Sequence, residues 1–320
     1  LAPSVGRAHV GPKRDHAAGH GIQARVLQGV DHLALQHHSW LQGQSQVFNA
    51  EMLHYSTDKL TLMAELRQAI EQQQLALYVQ PQVDMQSREV LAGEVFVRWR
   101  HPSRGLMTPD SFLALAEETG VIYPLTQWVL SEAIATIAQL NKAGLDGKIA
   151  VNISSQDLLQ DELIDSLDIL FTKHHVQPQQ LILEIKEGAF AAKPSQSISM
   201  MQRLHKMGVE LMLDDFGTGY SSLAYLTKLP IDEVKLDRSL ITDLSSDLQS
   251  QGMVRNIIRM AHELDMVVTA EGIETLEQQQ LLKTMDCDLI QGYYYSKPLT
   301  EKDFINMLIQ QPFAGDYSNV

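Results

Sequence analysis

The chain has 320 residues, 44% hydrophobic and 20% charged, with a formal net charge of −14, room for one large domain plus part of a second. That acidic balance excludes broad binding to a nucleic-acid polymer, which calls for a basic footprint, and no apolar run reaches the roughly 18 residues that a membrane span needs. The single cysteine, Cys287, excludes an intrachain disulfide framework and suits a reducing cytoplasm.

No charged-then-apolar leader precedes the first residues. The start at Leu1 rather than Met reads as that of a fragment, so a cytoplasmic location is expected, with anchorage of a longer parent to the inner membrane left open. Before Thr57-Asp58 histidines and glycines mix with short apolar stretches; after it, strand-like runs alternate with helical periods. A boundary is therefore expected between residues 1–56 and 57–320. In chain order the strand runs are Leu75–Asp84, Glu89–Trp99, Lys148–Ser154, Leu181–Glu187, Glu210–Phe216, Glu233–Asp237, Met266–Ile273 and Leu289–Tyr295. The last includes Tyr293-Tyr294-Tyr295 as barrel strand. Amphipathic stretches predict helices over Thr126–Ala143, Ser155–His174, Ser195–Lys206 and Leu248–Leu264, and one over Asp110–Glu118 behind Thr108-Pro109. His174-His175 suits a helix end, where histidine meets the dipole well. Met85–Arg88 is too short for a crossover, so the first two strands form an antiparallel pair. The expected fold is α/β, a TIM-type (β/α)₈ barrel with an antiparallel first strand pair.

Polar residues stop or interrupt the apolar runs at Glu94, Asn152, Glu184, Asp214-Asp215, Lys235, Glu271 and Gln291. In such a barrel, the C-terminal strand ends converge on one rim. Converging carboxylates repel and raise one another's pKa unless something neutralises them, and hard divalent cations do so through oxygen ligands. Asp214-Asp215 suits a carboxylate bridging two metals. Taken singly, each residue also reads as a cap, a turn or a solvated rim group; the pattern alone leaves both readings open.

The same residues carry a resemblance to the EAL domain from about Leu66 to Ile309. The matching segments are Gln80-Pro81, Gly93-Glu94 with Arg98-Trp99, His101-Pro102, Val151-Asn152-Ile153-Ser154 and Leu183-Glu184-Ile185 with Glu187. They continue through Leu213–Leu223, Leu229-Pro230-Ile231-Asp232, Lys235 with Asp237, Ala270–Thr275, and Gln291-Gly292-Tyr293 before Ser296 and Pro298. The resemblance implies a phosphodiesterase that hydrolyses the bacterial second messenger cyclic di-GMP to linear pGpG by two-metal activation of water. Two Mg²⁺ or Mn²⁺ ions per active site are implied. The first would be held by Glu94, Asn152, Glu184 and Asp214; the second by Asp214, Asp215 and Glu271. Lys235 would position the attacking water, Gln291 would orient water, and Arg98 would hold a phosphate oxygen. Gln80, Asp237 and Pro298 would complete the substrate site. Glu187 would anchor the loop after Asp215, which is also the expected homodimer contact. Residues 1–56 resemble the closing strand, helix and strand of a GGDEF domain, a partial α+β segment without its nucleotide-binding half. The histidines there, His9, His16, His20, His32, His37, His38 and His54, fit no closed zinc site.

Two positions depart from the family pattern. The name-giving Glu-Ala-Leu reads Glu94-Val95-Phe96, and the usual Thr between the two glutamates is Lys186. They favour an alternative, a catalytically silent cyclic di-GMP receptor signalling through a protein partner. A third reading, an interaction module binding neither nucleotide nor metal, leaves the acid cluster uncompensated.

Overall fold

Residues 50–190, 193–217 and 226–314 are described by the computed structural model, with side chains from residue 58 onward. The GGDEF-like remnant and its histidines lie outside the described residues, apart from the start of helix α1 (Ala50–Glu71). The compact unit that follows is Thr57–Val320.

Strand β1 (Leu75–Asp84) turns into β2 (Val90–His101) as an antiparallel hairpin. The Asp84 carboxylate holds the turn by accepting from the Gln86 and Ser87 N–H groups. Parallel pairing then runs from β2 through β4 (Lys148–Ile153), β5 (Leu181–Lys186), β6 (Glu210–Phe216), β7 (Glu233–Leu236), β8 (Val267–Ala270) and β9 (Leu289–Ile290). Antiparallel pairing of β9 with β1 closes an eight-membered ring. Two short strands, β3 (Gly105–Met107) and β10 (Leu299–Thr300), extend the sheet from β2 and β1.

Among the described residues the remaining helices are α2 (Leu113–Thr119), α3 (Ile122–Lys142), α4 (Glu162–His174), α5 (Pro194–Met207), α6 (Arg238–Thr242), α7 (Leu248–His262), α8 (Leu276–Lys283) and α9 (Glu301–Gln310). Several begin where a side chain accepts the orphan N–H groups of the first turn: Asp247 at α7, Thr275 at α8 in a capping box with Gln278, and Thr300 at α9. The helices bury one stripe each against the barrel's outer face. Leu130, Ile134 and Ile137 of α3 are fully buried in the same core as Ile149 and Val151 of β4. Residues of the opposite strand parity face inward; Ala92, Ala150, Ile182 and Met212 form a separate, smaller cluster there.

The barrel and its antiparallel start match the expectation, and the boundaries of β1 and β6 match it residue for residue. Elsewhere the chain differs. Tyr293-Tyr294-Tyr295 is not strand: β9 stops at Ile290 and the tyrosines sit in turns. Strand β8 ends at Ala270, because the backbone turns away through Gly272 at φ +76°. The first short helix starts at Leu113, behind a 3₁₀ turn over Pro109–Ser111 in which the Thr108 side chain makes no cap bond. Helix α4 starts at Glu162, with a separate 3₁₀ turn over Asp157–Leu159. Its end is as expected, with His174 in the last turn and His175 left-handed at the cap.

Candidate active site

Counting two residues up from the inner cluster of Ala92, Ala150, Ile182 and Met212 gives Glu94, Asn152, Glu184 and Asp214. The period of two that points the first set inward points the second set inward one layer higher. On β7 the same step leads from Glu233 to Lys235. Past the ends of β8 and β9 it leads from Thr269 to Glu271 and from Leu289 to Gln291. Each of these polar residues therefore ends an apolar run for one reason: the barrel's interior packing stops there and its mouth begins.

Lys235 is buried at the centre of this layer. Its Nζ lies 2.7 Å from Glu94 Oε2, 2.8 Å from Glu184 Oε2, 3.7 Å from Asp214 Oδ1 and 3.6 Å from Glu271 Oε2. Burial alone would lower its pKa, but the four carboxylates, Glu184 and Glu94 foremost, hold it well above the usual lysine value. The ammonium is thus permanently charged. Around it the acids are unequal. Burial pushes Glu94 up, yet the Lys235 ammonium and hydrogen bonds from Lys235, Gln291 and Asn152 bring its carboxyl below the ordinary range. Asn152 Nδ2 donates to Glu94 Oε1 at 2.6 Å and Gln291 Nε2 to Glu94 Oε2 at 2.7 Å. Glu184 shares Lys235 without amide donors; burial and the Glu94 charge raise it well above the ordinary value. Asp214 and Glu271 are likewise raised, by burial first and then by their acidic neighbours.

Two oxygens of this layer, Glu184 Oε1 and Asp214 Oδ1, are buried with no hydrogen-bond partner. Buried polar atoms are rarely left so. Oxygens of two carboxylates beside an amide side chain form a donor set that suits a hard divalent cation, so the residues present fit the ions that the sequence resemblance implies.

A second group of acids adjoins the first because of a local irregularity in β6. Asp215 has φ +58°, and the register with β7 slips between Leu213 and Phe216. A regular strand would send consecutive side chains to opposite faces; the slip, with an aspartate that tolerates the left-handed region, lets Asp214 and Asp215 both serve the mouth. One oxygen from each of Asp215, Asp237 and Glu271 lies within 4.8 Å of the others, the only such acidic trio among the described residues. Asp237, which the sequence placed with the substrate, therefore stands among the acids. Its Oδ1 also accepts from the Ser239 N–H and hydroxyl at the start of α6. Lys186, on the Glu184 side of β5 as strand parity requires, reaches Asp215: its Nζ is 2.7 Å from Oδ2.

Comparison with known proteins settles the family. Residues 63–298 match the family described as EAL domain. The chain belongs to the EAL-domain family. It is 40% identical over 256 residues to the cyclic di-GMP phosphodiesterase NbdA of Pseudomonas aeruginosa, covering 80% of this chain and 33% of that protein. It is 34% identical over 257 residues to the cyclic di-GMP phosphodiesterase PdeR of Escherichia coli, covering 80% and 39%. The chain thus spans between a third and two fifths of these curated relatives. Among solved structures, the MucR phosphodiesterase in complex with c-di-GMP superposes with a TM-score of 0.73 at 38% identity, covering 76% of this chain and 99% of that one.

Set on the EAL pattern, the remaining expected residues fall in three places. Gln80 lies opposite Glu94 in the β1–β2 register. It accepts from Gln291 Nε2 at 3.1 Å and donates to the Ser296 carbonyl at 3.0 Å, joining β1 to the segment that leads through Pro298 to β10. Arg98, half-buried, has its guanidinium carbon 5.6 Å from the Tyr78 ring centre and 5.8 Å from that of Phe96. Glu187 follows β5 in a 3₁₀ turn over Glu187–Phe190; residues 218–225 of the loop it is expected to anchor lie outside the described residues. One site residue was missed. Gln82, fully buried, donates from Nε2 to Gln291 Oε1 at 3.1 Å. Its signal was available: Gln80 and Gln82 are two polar residues two apart in a strand otherwise without charge or amide before its terminal Asp84.

Proposed function

We propose that the barrel is a metal-dependent phosphodiesterase that hydrolyses one phosphodiester of cyclic di-GMP to linear pGpG. The observation that carries this reading is the ring of carboxylates around buried Lys235, with two carboxylate oxygens unpartnered, at the mouth of an EAL barrel. Mg²⁺ or Mn²⁺, two per site, would be the cofactors: Glu94, Asn152, Glu184 and Asp214 would hold one, and Asp214, Asp215 and Glu271, with Asp237 beside them, the other. Such ions, when bound, polarise a phosphoryl oxygen and acidify a water.

The chain's own residues supply the rest. Six carboxylates against the two ammonium groups of Lys235 and Lys186 leave four negative charges, which two divalent cations neutralise. Lys235, fixed by its four acidic neighbours, offsets charge that develops on phosphorus and orients the attacking water. Gln291 is held by Gln80 and Gln82 and aims its amide at Glu94, so it orients water on that side. Arg98, between two aromatic rings, binds a phosphate oxygen of the nucleotide, and Glu187 anchors the loop after Asp215. Two copies would associate through that loop, and the domain would work in the cytoplasm. Among the described residues no helix is long and apolar enough to cross a membrane.

The test is turnover of cyclic di-GMP with Mg²⁺ or Mn²⁺, following pGpG by chromatography, with Glu94→Ala alongside. Product from the parent, and a loss on the order of a hundredfold or more in the variant, is the expected result. The silent-receptor reading is favoured by one observation, the Lys186 ammonium on Asp215. Tight nucleotide binding with no product from the parent would assign it.

A further inference from the structure

Lys186 stands where the family has threonine, and threonine is too short to do what this side chain does. From the end of β5 its Nζ reaches 2.7 Å to Asp215 Oδ2, a carboxylate of the acidic trio with Asp237 and Glu271. The contact is a direct ion pair between an ammonium and a carboxylate. Strand pairing fixes the approach, since Lys186 is the register partner of Asp214 across β5 and β6. The Lys186 side chain is nevertheless 64% exposed, so it can leave Asp215 for solvent without unpacking anything.

We infer that Lys186 is a built-in counter-cation of the acidic trio, which a second divalent ion must displace from Asp215 before it binds. The inference rests on the two-metal reading above and deepens it. A lysine ammonium and a divalent ion both seek the same carboxylate oxygen, and held close together they repel each other. Lys186 would therefore weaken the outer ion, which needs Asp215, more than the inner one at Glu94, Asn152, Glu184 and the shared Asp214. The first ion would then be resident, and the second would be taken up as its concentration rises.

The test is a Mn²⁺ titration without nucleotide, in which electron paramagnetic resonance counts the free ion, on the parent, Lys186→Thr and Lys186→Arg. Two ions per chain are expected in each. The inner ion's affinity should change by less than about twofold, and the outer one should bind about five- to tenfold more tightly in Lys186→Thr. Lys186→Arg, which keeps the charge, should retain the parent's weak outer site. Equal outer affinity in the parent and Lys186→Thr overturns the role of Lys186 and leaves the phosphodiesterase reading intact. So does an arginine variant that behaves like threonine. Fewer than two ions in both the parent and Lys186→Thr overturns the two-metal reading, and this inference with it.

Discussion

Glu233 lies two residues before Lys235 on β7 and, one interior layer below it, accepts a hydrogen bond from the Thr269 hydroxyl of β8. Burial pushes its carboxyl up from 4.5 to about 7, against the Thr269 bond that favours the charged form. The layer beneath the site thus takes up a proton near neutral pH at Glu233.

That proton makes stability depend on pH. Folding favours the protonated form of an acid whose value is raised. Glu233 therefore favours the fold fully below about pH 4.5 and loses its contribution as pH climbs to about 7, at roughly 1.4 kcal/mol per unit, about 3 kcal/mol in all. Glu233→Gln keeps an acceptor for Thr269 and cannot ionise. Its stability in urea should fall between pH 5 and pH 8 by about 2–3 kcal/mol less than the parent's. Asp157, raised to about 6 by burial, has the same sign in both proteins and cancels in the comparison. Parallel pH profiles would remove Glu233 from the account.

Gly292 is where two functional segments touch. A Cβ there would run into the backbone N and O atoms of Ile273, whose N–H donates to the Gln291 carbonyl at 3.1 Å. Gly292→Ala must separate Glu271–Ile273 from Gln291–Gly292, carrying Glu271 and Gln291 apart. A loss of about 1–3 kcal/mol of stability is expected, with turnover down at least about tenfold because a small displacement of such groups is costly. Melting and turnover measured together decide it; an unchanged pair would mean that the backbone yields without moving the side chains.

Phe96 replaces the family's leucine and supplies one of two rings over Arg98, the other being its cross-strand partner Tyr78. Phe96→Leu removes one cation–π contact, about 0.5–1 kcal/mol. If Arg98 binds a phosphate, KM for cyclic di-GMP should rise about two- to fivefold with kcat unchanged. A fall in kcat at constant KM would place the effect on Glu94 instead.

Much of the site was legible in the sequence because interior parity is rigid. An acid that breaks an apolar strand at Glu94, Glu184 or Asp214 has nowhere to go but the barrel mouth. Two kinds of feature were not legible. The slip at Asp215 and the turn at Gly272 depend on backbone angles: the slip is how Asp215 joins Asp214 in the site expected for both, and the turn stops β8 before Glu271. The tyrosines after Gln291 have strand propensity, but Gly292 lies hard against Ile273 and forces a turn, a tertiary constraint no local pattern carries. The resemblance implies a substrate role for Asp237; its place beside Asp215 and Glu271 depends on how three strand ends are spaced, which no local pattern carries. Strand parity alone puts Lys186 on the Glu184 side of β5, whereas its contact with Asp215 depends on the slip in β6.

The ring closes through β1 and β9 by only two register pairs, Val83 with Ile290 and Asp84 with Leu289. Across this seam run Gln82 to Gln291, Gln291 to Gln80 and Gln291 to Glu94, between residues about two hundred apart in sequence. Contacts of such separation form late in folding, after the chain-closure entropy has been met. The chemistry of the mouth therefore exists only once the last seam is sealed. A partly folded barrel would already carry most of its apolar core while Glu94 still lacked the Gln291 amide, one of its two amide donors. Loss of activity on warming should accordingly precede loss of helical signal, with the seam opening first.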